Sequence, residues 1–150
     1  ICIGVNNEIV NPLLHGEIST INNFFEKNEK VEPNDCIFIS THEPCSLCLS
    51  AITWSGFNNF FYFFPYGDTK DKFNIPHDLN ILSQVFNIKN GKYNNSNSYW
   101  QSFSILKEIN KLSTNEGEIL NSKINQINKI YEDLSIKYQI SKKENNIPLN

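Results

Sequence analysis

The run "FFYFF", Phe60–Phe64, narrows the folds open to this chain more than any other feature. It is strand-sized, too short for a helix, and apolar on both faces, and a strand of that kind belongs in the middle of a sheet covered on both sides. Two β-branched runs precede it. "ICIGV" reads as a strand that ends in the turn-prone "NNEIVNP", and "CIFIST" reads as a second strand after the turn "EPND". Between them Ile18, Ile21, Phe24 and Phe25 recur at helical spacing from His15 to about Asn28. A second helix follows in "HEPCSLCLSAITWSG", with Pro44 suited to its first turn, Leu47, Ala51, Ile52 and Trp54 along one buried side, and Ser55–Gly56 as its stop. Strand, helix, strand, helix, strand over the first 65 residues predicts an α/β protein with parallel pairing.

The remainder is less patterned. "PYGDTKDKFNIP" reads as a loop, "HDLNILSQVF" as a short helix, and "NIKNGKYNNSNSYW" as a long polar connection. From Phe103 two helical segments are expected. The second carries Leu120, Ile124, Ile127, Tyr131, Leu134 and Tyr138 at alternating steps of four and three. Packing of that stripe on the protein's own body is the plain reading, and a dimer contact is the alternative.

At 150 residues and 17.4 kDa, with 39% hydrophobic residues, the chain is expected to form one domain, 1–150, with a real core. It opens in mid-strand without an initiator Met, and an incomplete N-terminus is expected. The net charge is −3 and all 13 basic residues are Lys, which disfavours a nucleic-acid-binding surface. Asn-rich patches such as "KYNNSNS" are read as loop material. No apolar run reaches membrane-spanning length. Cys2, Cys36, Cys45 and Cys48 are too unevenly placed for a disulfide framework, and a reducing, cytoplasmic setting is expected.

The chemistry lies in two short stretches. Cys45 and Cys48 share a helical face at a helix start, where the macrodipole and free N–H groups favour thiolates. By itself this C-x-x-C fits a thiol redox pair as well as half of a structural zinc site completed by Cys36, Cys2 or His42. His15-x-Glu17 changes the balance, because it opens the neighbouring helix and two helix starts would then converge beside one sheet edge. A Zn2+ ion held by His15, Cys45 and Cys48 has three protein ligands and a fourth position for water, the arrangement of a catalytic site. Two thiolates offset the charge of the ion, so its water is acidified less than in a three-imidazole site and a nearby base is needed. Glu17 is that base, and then the acid that returns the proton to a substrate nitrogen.

With "HGEI" and "THEPCSLCLSAITWSG" on this strand and helix order, the first half of the chain resembles the cytidine and deoxycytidylate deaminase superfamily. The resemblance implies a three-layer α/β/α fold with a mixed, mostly parallel central sheet and a helical C-terminal segment. It also implies hydrolytic deamination of a small nucleobase or nucleoside, and base contacts from Asn6 or Asn7, from the backbone N–H of Gly16 and from Trp54. A homodimer is expected because the aromatic strand and the C-terminal stripe offer more apolar surface than one small sheet buries. The stretch "LSAITWSG" looks like the guanine deaminase-like branch, which acts on free bases. Cytosine or a cytidine nucleoside is the alternative substrate and tRNA adenosine the third, disfavoured by a tail of seven Lys and six acidic residues.

Overall fold

A computed structural model of the chain describes residues 2–27, 30–142 and 149. Three parallel strands form one sheet in the order β1 (Phe38–His42), β2 (Asn59–Phe64), β3 (Gln101–Ser104). Phe38 pairs with Phe60 and His42 with Phe64 on one side of β2, and Phe61 pairs with Phe103 on the other. The aromatic run is therefore the central strand, as its two apolar faces require. Against it on one side lie α1 (Gly16–Glu26) and α2 (Ser46–Trp54), the crossover between β1 and β2. Toward the end of β2, Ile105 and Leu106 of α5 (Ile105–Ile109) and Ile124, Ile127 and Tyr131 of α6 (Thr114–Lys142) pack against Phe63 and Phe64, while Ile39 on the outward face of β1 stays 65% exposed. The result is an α/β/α protein in which two short helices, α3 (Tyr66–Asp71) and α4 (His77–Gln84), follow the central strand.

Two clusters hold these layers. Ile21, Phe38, Ile52, Phe57, Phe60, Tyr62 and Trp100 pack between the sheet and α1–α2. Phe63, Phe64 and Phe73 pack against Ile124, Ile127 and Tyr131 of α6. Each such side chain, once fully buried, contributes roughly 1.5–3 kcal/mol. The heptad-like stripe thus lies on the protein's own body over these positions, while Leu134 farther along is 47% exposed. Among the described residues no helix is long and apolar enough to cross a membrane.

The first expected strand does not form. Residues 2–7 run over α1 without a strand partner. Their polar groups are taken up by that helix instead: the Asn23 amide donates to the Ile3 carbonyl at 2.8 Å, and the Cys2 thiol to the Thr20 carbonyl at 3.6 Å. Contact is close at Gly4, where an added Cβ would lie 2.2 Å from the Thr20 nitrogen, so a side chain has no room there. Ile1 and Asn28, the outer ends of the expected strand and helix, lie outside the described residues.

Two elements went unread in the sequence. The expected loop after Phe64 contains α3, whose polar turn is held by Lys72 donating to Asp68 at 2.9 Å, one helical turn apart. The polar "QSFS" is β3, and its partner rather than its composition makes it a strand. The Asn-rich connections are loops as read, and Asn74, Asn87 and Asn90 adopt positive φ of 55° to 56°, a conformation Asn tolerates. Gly56, at φ 81°, closes α2 as expected.

Candidate metal centre

His15 precedes the first residue of α1 and Cys45 the first residue of α2, and neither helix start is capped by a side chain. The two starts converge beyond the end of β1. His15 Nδ1 lies 3.4 Å from Cys45 Sγ and 3.6 Å from Cys48 Sγ. The three donor atoms lie within 4.8 Å of one another and are the one group of metal-ligand type among the described residues. Cys48 is fully buried and Cys45 is 7% exposed.

The electrostatics match a set of donors waiting to lose protons. Cys45 is held far below the usual thiol range, first by the Cys48 thiol donating to it and then by His15. Cys48 is pushed the other way as that donor, and by burial. His15 is raised, chiefly by Cys45 and then by Glu8. A soft divalent cation displaces such shared protons. Two cysteines and one imidazole with a fourth position left over fit zinc, and zinc is the metal this site is built for.

Glu17, on the first turn of α1, stands beside the donors without joining them. Its Oε2 lies 3.4 Å from Cys48 Sγ, and its Oε1 accepts a 2.7 Å hydrogen bond from the Ser40 hydroxyl. Ser40 is the buried polar residue of β1, between Phe38 and His42 on the inward register. That position was the available signal: a serine inside an apolar strand needs a partner, and Glu17 is it.

Asn6, Gly16, Glu17, His15 and Cys45 all line one cavity of about 1830 Å3. The Asn6 side-chain oxygen accepts from the Glu8 N–H at 3.1 Å. A Cβ on Gly16 would meet only the Asn6 nitrogen, at 3.6 Å, and the Val5 carbonyl carbon, so alanine fits there too. Trp54 is not brought to this cavity: it is 90% exposed on α2 and absent from the lining. Cys2 and Cys36 bond to backbone carbonyls of Thr20 and Glu32, and His42 pairs with Thr69, so none of the three joins the Cys45–Cys48 group.

The second half of the chain holds the site from behind. Glu43, buried just before Pro44, accepts from the Tyr66 N–H at 2.9 Å and from the Tyr93 hydroxyl at 2.8 Å. The Tyr66 hydroxyl donates to the Pro44 carbonyl, next to Cys45. Asp78, His77 and Ile81 on α4 and Tyr138 on α6 add to the cavity wall. Burial, and then the nearby Cys45, push Asp78 up to about 7. Sequence reading gave no hint of these partners, because they lie far along the chain in segments of loop-like composition.

Residues 1–64 match the family model of the cytidine and deoxycytidylate deaminase zinc-binding region. The match includes His15, Glu17, Cys45 and Cys48 and ends with β2, so it takes in less than half of the chain. No curated protein matches the chain.

Proposed function

We propose that the chain is a zinc-dependent hydrolytic deaminase of a nucleobase or nucleoside, and that residues 1–150 act as one domain in this work. The observation that carries the reading is the Glu17 carboxylate, held 3.4 Å from Cys48 Sγ by Ser40 and kept out of the three-donor set. A purely structural zinc site has four protein ligands and no use for such a group. When bound by His15, Cys45 and Cys48, zinc supplies the Lewis acidity that makes water a nucleophile near neutral pH.

The chain's own groups do the rest. Glu17 takes a proton from the attacking water and delivers it to the base, so that the amino group leaves as ammonia and Glu17 ends as it began. Carbon–oxygen bond formation and carbon–nitrogen cleavage balance as C–NH2 plus water giving C=O plus NH3. Asn6, whose side-chain oxygen accepts from the Glu8 N–H and whose amide also bonds the Glu8 carboxyl group, is assigned to the base from its place in the cavity wall, and the Gly16 N–H is assigned to the base's carbonyl.

Within this class we favour a free purine base, guanine first, over cytosine or cytidine and over tRNA adenosine. Support comes from the "LSAITWSG" likeness, and from Asp78, a carboxyl group in the cavity wall suited to adjacent N–H donors on a base. The deciding experiment is ammonia release from guanine, cytosine, cytidine and adenosine, with zinc measured on the same sample. One zinc per chain with no ammonia from any of them would overturn the deaminase reading. Release from cytosine alone would overturn the purine preference. A dimer is proposed as well, because Ile119, Ile130, Ile136 and Ile140 stand exposed along α6; a single 17.4 kDa species in sedimentation would remove it.

A further inference from the structure

His15 has two ring nitrogens, and the site uses both. Nδ1 faces Cys45 and Cys48, and Nε2 lies 3.0 Å from Glu8 Oε1. The Glu8 side chain is only 15% exposed and that of His15 27%, so the contact is sheltered from solvent. Glu8 sits in the loop between Asn6 and His15, which folds on itself through hydrogen bonds from the Asn7 N–H to the Leu14 carbonyl at 2.8 Å and from the Val10 N–H to the Asn7 carbonyl at 3.0 Å. Its backbone N–H is held by Asn6. The loop therefore presents the carboxylate to His15 from a fixed direction.

We propose that Glu8 is a positioning residue for the metal: by accepting the Nε2–H of His15 it fixes the tautomer that turns Nδ1 toward the two cysteines and makes that nitrogen a stronger donor. A ligating imidazole commonly hands its other N–H to a carboxylate, and removing that partner costs on the order of 10- to 100-fold in metal affinity. Here the carboxylate also belongs to the loop that carries Asn6, so the same contact joins the metal side of the cavity to the side assigned to the base. Tyr138 on α6 and Asp78 and His77 on α4 line the same cavity and interact electrostatically with Glu8. Among its partners, however, the His15 hydrogen bond is the strongest influence on the Glu8 carboxyl group.

The inference rests on the zinc reading of the site but not on turnover, and its test is a zinc affinity measured by chelator competition on the whole chain. Glu8→Ala should bind zinc 10- to 100-fold more weakly than the parent. Glu8→Gln keeps an acceptor without the charge and should fall between the two. Glu32→Ala, which removes an exposed carboxylate elsewhere, should match the parent. If Glu8→Ala does not fold, the Glu8→Gln protein decides by nitrogen NMR of the His15 ring, where the Nε2–H signal of the parent should move upfield as its hydrogen bond weakens. Equal zinc affinity in Glu8→Ala and the parent, or an unmoved Nε2–H in Glu8→Gln, would overturn the role of Glu8 and leave the deaminase reading standing. A parent chain that binds no zinc would overturn both.

Discussion

His15 and His42 stand near the same end of β1 in opposite surroundings. Around His15 are two thiols and a carboxylate, and Cys45 and then Glu8 raise its affinity for a proton. Around His42 are the rings of Phe64, Phe73 and Tyr131, with centroids 5.1, 5.2 and 5.7 Å away, and one hydroxyl, Thr69 Oγ1, at 2.9 Å. Burial there pushes His42 down to about 4. One histidine is thus prepared to hold a cation and the other to stay neutral in a core. Residue type said the same of both, and the neighbours made the difference.

The sharpest way to break this contrast is to disable the chemistry on the His15 side while leaving its structure alone. Glu17→Gln can still accept from Ser40 but cannot take a proton. Turnover should fall by about 10²- to 10⁴-fold with zinc content and fold retained, as read by steady-state kinetics and metal analysis on one preparation. Parental turnover would refute the assigned role, and loss of zinc would make Glu17 a ligand.

On the His42 side the expected effect is on stability. In the unfolded chain His42 takes up a proton near its ordinary 6.5, whereas the folded protein resists protonation down to about 4. Its contribution is therefore fully present above pH 6.5 and is lost as pH falls toward 4, by on the order of 3 kcal/mol at most. Denaturant unfolding at pH 7 and pH 4.5 should show a smaller drop for His42→Leu than for the parent. An identical drop would mean that His42 does not titrate as its surroundings imply.

A finer test returns to the His15 side. Ser40→Ala removes the hydroxyl that donates to Glu17, a charge-assisted bond whose loss should lower kcat about 10- to 100-fold with little change in KM. Ser40→Thr keeps the hydroxyl and should recover most of the rate. If kcat in Ser40→Ala is parental, Glu17 is held by something else.

What the sequence disclosed follows from how local each signal is. His15-x-Glu17 and Cys45-x-x-Cys48 are each fixed by one helix start, so spacing alone pairs them, and the central place of Phe60–Phe64 follows from two apolar faces. Glu8 and Ser40 act on those residues from 7 and 23 positions away and have no periodic pattern to mark them. "ICIGV" has strand composition, yet its edge is spent on α1 through Asn23 and Gly4. "QSFS" has no strand composition and becomes a strand because β2 offers it a partner. Strand pairing is a property of neighbours, and neighbours from distant sequence are what a single chain conceals.

The grip on Glu43 and Pro44 by Tyr66 and Tyr93 works like a clamp whose jaws are machined from different stock than the piece they hold. Neither tyrosine gives the metal an atom, and both lie outside the segment that carries the zinc-binding likeness. The second half of the chain is consequently tied to the metal side through these two tyrosines as well as through the cavity wall. A change at 66 or 93 would register as play in the seat of Cys45, which is how a stretch of unremarkable composition comes to inherit the constraints of a metal it never touches.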